Sequence, residues 1–88
     1  MSLFDARTPE EAMQLIAEGA DVNERIRDRS TPLHRVRYPE IARVLIDAGA
    51  DVNALNIYGQ TPLHNAQNPE IVRLLLENFK YINYYTFV

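Results

Sequence analysis

The sequence contains no cysteine and only three glycines among its 88 residues. Without cysteine there is no disulfide framework, no thiolate metal site and no cysteine nucleophile, and a reducing, cytoplasmic location is expected. The chain also lacks a Gly-rich phosphate loop, a Gly-x-Ser-x-Gly nucleophile elbow and a His-Glu-x-x-His metal motif. We therefore expect neither an enzyme nor a bound cofactor.

Long hydrophobic runs are absent as well. The apolar stretches are far shorter than the roughly 18 residues that cross a bilayer, and the start of the chain lacks the basic and apolar character of a secretory signal. Hydrophobic residues make up 47% and charged residues 24%, as in an ordinary globular protein. The net charge of −3 argues against nucleic acid or an anionic membrane as the partner.

An internal repeat is the main positive feature of the sequence. Its period is about 30 residues, and self-similarity at a fixed period of about 20 to 50 residues indicates a repeat architecture. We expect a single array over 1–88, with units of approximately 1–30, 31–60 and 61–88. The recurring motifs are Thr-Pro-Leu-His at 31–34 and 61–64, Gly-Ala-Asp-Val-Asn at 19–23 and 49–53, and Pro-Glu at 9–10, 39–40 and 69–70.

Each unit predicts two helices followed by a loop. Thr31 and Pro32 suit the N-cap and the first position of a short helix, and Pro39 begins a second helix whose apolar residues follow helical spacing. Gly49 then provides a left-handed stop. The predicted caps of the other second helices are a Thr8–Glu11 capping box and Asn68.

The Thr-Pro-Leu-His opening, the Gly-Ala-Asp-Val-Asn turn and the approach from Asn56 to Thr61 resemble ankyrin repeats over nearly the whole chain. The resemblance implies an all-α solenoid of helix-turn-helix pairs joined by hairpin-like loops, and a function in protein–protein interaction. Since an ankyrin repeat has about 33 residues, the first helix of each pair should be little more than one turn. The resemblance also implies that His34 and His64 stabilise the turn by hydrogen bonding, not by catalysis or metal binding.

The first unit departs from the pattern in its loop, where Arg29 replaces the turn glycine, and its turn is expected to differ. Residues 24–37 contain five arginines and two acids, whereas the remainder of the chain has four basic and ten acidic residues. The resemblance implies a concave face, lined by loop tips and first helices, that holds partners. The predicted contacts on this face are Arg25, Arg27, Arg29, Arg35, Arg37, Tyr38 and Tyr58.

Arginine's planar fork suits the carboxylates of an acidic protein partner. Alternatively, the arginines form a solvated rim paired with Glu24 and Asp28, where exposed ion pairs contribute about 0–1 kcal/mol. Nucleic-acid binding is less favoured, because Tyr38 is the only aromatic residue near the cluster and the domain is acidic. Tyr38 also stands where an N-cap such as Asn68 is expected.

The C-terminus is the second departure, because the aromatic segment 79–88 replaces the Gly-Ala-Asp-Val-Asn turn. This tail either caps the last helix pair or offers an adhesive surface for a second copy or a partner. The function expected from the sequence is that of an adaptor or scaffold. The alternatives are an inhibitor or immunity-type protein that masks an enzyme, and a fragment of a larger multi-repeat protein.

Overall fold

Helices form the regular structure of this chain. The computed structural model describes the backbone of residues 1–86 and the side chains of residues 1–78, and that part contains no strand. The all-α repeat fold predicted from the sequence is confirmed. A 3-10 helix, Leu3–Asp5, precedes the α-helices α1 (Pro9–Ala17), α2 (Pro32–Arg35), α3 (Pro39–Asp47), α4 (Pro62–Asn65) and α5 (Pro69–Thr86).

Proline begins each of these α-helices. A first helical residue has no intrahelical partner for its N–H, so proline costs nothing there and its ring fixes φ near the helical value. The helices α2 and α4 have four residues each, which confirms the prediction of little more than one turn. Both end where the backbone of Val36 and Ala66 becomes extended.

The N-caps of the second helices agree with the prediction in part. Thr8 Oγ1 accepts from the Glu11 N–H at 3.1 Å, and Asn68 Oδ1 accepts from the Glu70 N–H at 2.8 Å. The reciprocal half of the predicted capping box is wrong, because the Glu11 carboxylate accepts from the Arg7 N–H at 2.7 Å, one residue before the cap. Tyr38 supplies no side-chain cap to α3.

Glycine ends the second helix of the first two units. Gly19 and Gly49 both have φ of +102°, which confirms the left-handed stop, and their N–H groups bond to Ile16 and Ile46 carbonyls at 3.0 Å. In the same register α5 carries Phe79 and continues to Thr86, so it has 18 residues where α1 and α3 have nine. The predicted capping or adhesive role of the side chains of 79–88 lies outside the described residues.

The helices form two layers with the apolar core between them. The inner layer contains the 3-10 helix, α2 and α4, and the outer layer contains α1, α3 and α5, each packed on its neighbour in the next unit. One cluster of buried residues extends from Leu3 through Leu33 and Leu45 to Leu75. In the described part of the chain no helix has the length and apolar character needed to cross a membrane.

Arg29 has φ of +66° and therefore occupies the turn position in the conformation of a glycine. Its N–H bonds to the Ile26 carbonyl at 2.8 Å, and the second loop has the corresponding bond from Gly59 to Asn56 at 3.0 Å. The prediction that the first turn differs is wrong for the backbone, because corresponding backbone hydrogen bonds hold both loops. A left-handed conformation costs a non-glycine residue about 1–2 kcal/mol.

Replacing Arg29 by glycine should therefore stabilise the protein. Relief of the left-handed strain outweighs the extra backbone entropy of glycine, for a net gain of about 0.5–1 kcal/mol in the free energy of unfolding. The matched substitution Gly59→Ala should lower that free energy by a similar amount, since a Cβ there meets open space and only the backbone is strained. Urea unfolding measures both, and equal stability of Arg29→Gly and the parent would contradict the expectation.

Candidate functional site

A groove of about 1220 Å³ lies along the inner helical layer. We call it the inner groove. All three units line it. The first loop contributes Ile26 and Asp28, the second loop contributes Tyr58, and the short helices with the segments that follow them contribute most of the other side chains. Those segments contribute the polar side chains Arg35, Arg37, His64, Asn65, Gln67 and Asn68.

A second groove of about 650 Å³ lies between the beginning of the chain and the segment that joins α2 to α3. We call it the first-unit groove. Its exposed rim includes Arg7, Arg35, Arg37 and Tyr38, and it shares Phe4, Arg35, Val36 and Arg37 with the inner groove. Both volumes fall in or just above the range of about 300–1,000 Å³ usual for ligand pockets.

The predicted contact residues divide between these grooves and the loop surface. Arg35 and Arg37 line both grooves, Tyr58 lines the inner groove, and Tyr38 lines the first-unit groove. Arg25, Arg27 and Arg29 line neither of them. The structure thus places Arg35 and Arg37 beside the two tyrosines and leaves the three loop arginines on a separate exposed surface.

Arg25 has a structural role. Its Nη1 donates to the Arg29 carbonyl at 2.7 Å and to the Leu55 carbonyl at 2.9 Å. One guanidinium therefore closes its own loop and joins it to the loop of the next unit. This leaves Arg25 less suited to partner contact than Arg27 or Arg29, which form no ion pair within the part of the chain described.

Asp28 replaces an acceptor that the first loop lacks. In the second loop Asn56 Oδ1 accepts from the N–H groups of Tyr58 and Gln60 at 3.0 and 3.1 Å, but the corresponding residue in the first loop is Ile26. Asp28 Oδ1 instead accepts from the Ser30 N–H at 3.0 Å.

The charge of Asp28 is stabilised by these local donors. Hydrogen bonding from Ser30, its backbone N–H first, lowers the pKa of Asp28, and the nearby Arg35 guanidinium lowers it further. Arg35 Nη2 lies 3.3 Å from Asp28 Oδ2, and both side chains are in contact with solvent. An exposed pair of this kind contributes about 0–1 kcal/mol. The solvated-rim interpretation therefore describes Arg35, which keeps most of its capacity for another carboxylate.

Beside the predicted Tyr58, the structure exposes Ile26, Leu55, Ile57 and Arg7, which were not among the predicted contacts. Ile57 is 57% exposed and Tyr58 70%, with Leu55 and Ile26 also exposed. In the sequence, Leu55 and Ile57 flank Asn56, which is buried, and this alternation indicates that their own side chains face solvent. The signal for Arg7 was its position one repeat period before Arg37, in the same register of the neighbouring unit.

The two histidines of the repeated motif behave differently. His34 is 4% exposed; its Nδ1 accepts from the Thr31 N–H at 3.0 Å, and its Nε2 lies 2.8 Å from the Gln60 carbonyl. Because a backbone N–H only donates, Nδ1 is the acceptor, so the ring proton on Nε2 is donated to the Gln60 carbonyl and joins α2 to the loop that ends the same unit.

The hydrogen-bonding role predicted from the resemblance is confirmed for His34 and is wrong for His64. His64 is exposed, and no side-chain bond of its ring occurs within residues 1–78. The reason is that the acceptor of His34 comes from the next loop, and no described residue takes that place for His64. Among the described residues there is also no group of three or more His, Cys, Asp and Glu side chains that could hold a metal ion.

Comparison with known proteins agrees with this architecture. A family model described as ankyrin repeats (3 copies) matches residues 5–86. No curated protein matches the chain.

Replacing His34 by phenylalanine should destabilise the protein strongly. The substitution keeps an aromatic ring of similar size but leaves the Thr31 N–H and the Gln60 carbonyl without partners, at about 1–3 kcal/mol each. The matched change His64→Phe should alter the free energy of unfolding by less than about 0.5 kcal/mol, because that side chain is exposed. Similar urea midpoints for the two variants would show that the His34 bonds to Thr31 and Gln60 do not stabilise the fold.

Stability at acid pH should depend on Asp28. Because the folded state lowers its pKa, the carboxylate stabilises the fold above the ordinary pKa of about 4, and this contribution disappears as the pH falls through the lowered value. Asp28→Asn keeps the acceptor oxygen but removes the charge, so its melting temperature should be lower at neutral pH and fall less steeply below pH 4. Glu24→Gln in the same loop is the control, and identical pH profiles for Asp28→Asn and the parent would contradict the expectation.

Proposed function

The chain belongs to the ankyrin repeat family, and on this premise we propose that it is an adaptor or scaffold that binds an acidic protein partner along the inner groove. Ankyrin repeats are generally protein–protein interaction modules, and the family is typically non-enzymatic. The proposal for this chain concerns which surface it uses and what chemistry that surface recognises.

The position of Arg35 and Arg37 carries the proposal. Arg35 ends the one-turn helix α2 and Arg37 follows it, and both line the inner groove, where the third unit has the uncharged Asn65 and Gln67. A guanidinium binds a carboxylate by two parallel hydrogen bonds. Because it is only weakly hydrated, its transfer from water into an interface costs little free energy. Arg37 forms no ion pair in the described part of the chain and is the main anchor that we propose.

Tyr58 and Ile26 supply apolar contact beside these arginines. They lie on adjacent loops and both line the inner groove. Tyrosine and arginine are over-represented among the residues that dominate interface energetics, chiefly where neighbouring contacts exclude water. We propose that the partner covers Tyr58 and is held by carboxylates on Arg35 and Arg37.

Tyr38 is proposed as a further contact. It is 47% exposed and supplies no side-chain hydrogen bond to the helix that follows it. A capping residue there would add about 0.5–2 kcal/mol to stability, so tyrosine makes the start of α3 less stable than a capping residue would. At the rim of the first-unit groove its ring offers a partner an apolar wall with a polar tip.

Arg27 and Arg29 are proposed to act at longer range. They are exposed on the first loop, outside both grooves, and form no ion pair within the described residues. Charges at the rim of an interface mainly raise the rate of association and its dependence on salt. Arg25 is left out of the proposed interface, because its guanidinium joins the first two loops.

Charge reversal at Arg37 tests the proposed site. Capture from a lysate of the source organism, followed by calorimetry with the purified partner, should show that Arg37→Glu weakens binding by about ten- to a hundredfold, the range expected for an interface anchor. Arg43→Glu makes the same change of charge outside both grooves and should bind like the parent. Equal affinities for Arg37→Glu and Arg43→Glu would exclude the inner groove as the site.

The same partner distinguishes an adaptor from an inhibitor that masks an enzyme. An adaptor leaves the partner's own activity intact in the complex, whereas an inhibitor abolishes it at one-to-one stoichiometry. We propose the adaptor, in a cytoplasmic setting that accords with the absence of cysteine.

A further inference from the structure

We infer that the partner segment is a peptide with its carboxylates concentrated at one end, and that this acidic end lies over Arg7 in the first-unit groove. The inference rests on the proposed function, since it concerns the same partner. It adds a contact residue, Arg7, and an orientation for the bound segment.

Continuity of the two grooves is the first step. Phe4, Val36, Arg35 and Arg37 line both of them, so a bound segment can pass from the third unit over the second to the first without leaving the surface. Helices in contact lie about 8–10 Å apart, so the path from Gln67 to Arg7 spans about 20 Å. An extended peptide rises about 3.3 Å per residue and covers this distance with roughly six residues.

The two ends of this path differ in charge. Arg7, Arg37 and Gln67 occupy one register of the three units, and Asp5, Arg35 and Asn65 occupy another, so positive charge is greatest at the middle unit and these registers carry none in the third. The first-unit groove has three arginines on its lining and one acid, Asp5. It therefore carries more positive charge than the third-unit end of the inner groove, which the amides of Asn65, Gln67 and Asn68 line.

Arg7 has a free side chain for this role. Its backbone N–H bonds to the Glu11 carboxylate, but its exposed guanidinium forms no ion pair within residues 1–78. A substitution that preserves the backbone therefore tests the side chain without removing the N-terminal bond of α1. The matched control is Arg43, an exposed arginine on α3 that lines neither groove.

The wall of the first-unit groove adds an apolar requirement. Phe4 and Val36 are partly exposed and Tyr38 is half-exposed, and all three line this groove. A carboxylate-bearing segment with one large aliphatic side chain fits this combination. Nucleic acid fits it less well, because its phosphates are evenly spaced and do not match positive charge that is confined to one end of the path.

Two synthetic ten-residue peptides provide the probe, each with Glu-Leu-Glu-Glu at one end and serine and glutamine elsewhere, in opposite chain directions. Each carries a nitroxide on a single cysteine at its neutral end or, in a second preparation, at its acidic end. The protein has no cysteine of its own, so the label stays on the peptide. Proton–nitrogen NMR spectra then record which protein signals the nitroxide broadens.

At least one of the two peptides should bind. The label at the neutral end should broaden the side-chain amide signals of Asn65 and Gln67, and the label at the acidic end should broaden the Arg7 Nε–H signal. Arg7→Gln should weaken the affinity about fivefold, corresponding to about 1 kcal/mol for one partly exposed charge contact, and Arg43→Gln should leave it unchanged. Reversed or uniform broadening would overturn the inference, as would the absence of any shift at millimolar peptide.

Failure of the inference is distinguishable from failure of the proposed function. If Arg37→Gln weakens peptide binding but Arg7→Gln matches Arg43→Gln, the orientation is wrong and the inner groove remains the site. If neither Arg7→Gln nor Arg37→Gln affects binding, both proposals fall. If a twelve-residue oligothymidylate displaces the peptide at equal concentration, the partner is not an acidic peptide and the inference is overturned.

Discussion

Contact between neighbouring units is the constraint on which the rest of this structure depends. A single repeat unit is too small to bury its own apolar face, so each helix pair is stable only against the next. The buried cluster from Leu3 to Leu75 is therefore shared by all three units. Polar groups follow the same arrangement, since Asn23 joins the first unit to the second through Gly49 and Asp51, and Arg25 binds the Leu55 carbonyl of the second unit.

The first loop shows how strongly this stacking determines local geometry. It has neither the glycine nor the asparagine that shape the second loop, yet both turns have corresponding backbone hydrogen bonds. Arg29 adopts the left-handed conformation, Asp28 provides the missing acceptor and Arg25 binds the carbonyls of both loops. Residues that look like free surface charges in the sequence are thus partly structural, and this separates Arg25 from the arginines available to a partner.

Charge on the inner face is distributed by the same repeat register. Each one-turn helix is followed by an extended segment that exposes side chains at equivalent positions, so the three units display a row of residues about one helix spacing apart. In this row the first two units present Arg7 and Arg37 and the third presents Gln67. The helices are alike because they pack on a shared core. The residues of the exposed row do not contribute to that core, so they can differ between units and can specify a partner.

Repetition made the fold predictable. Motifs that recur at one fixed spacing, prolines at helix starts and glycines at helix ends act through local backbone preferences, and so the short helices and the stops at Gly19 and Gly49 could be inferred before any contact was known. The Asn68 cap was predictable for the same reason, because its hydrogen bond reaches only two residues along the chain.

Contacts between units were decided by the tertiary structure alone. The sequence presents His34 and His64 as equivalent, but the next loop places a carbonyl beside only the first. It likewise shows five clustered arginines, whereas the fold turns Arg25 to the loop carbonyls, pairs Arg35 with Asp28 and places Arg7 beside Arg37 in a groove. By itself the sequence determined the helices and their order, because those depend on neighbouring residues. The bonds of Arg25 and His34 depended on carbonyls 30 and 26 residues away along the chain, and only the folded array brings these groups together.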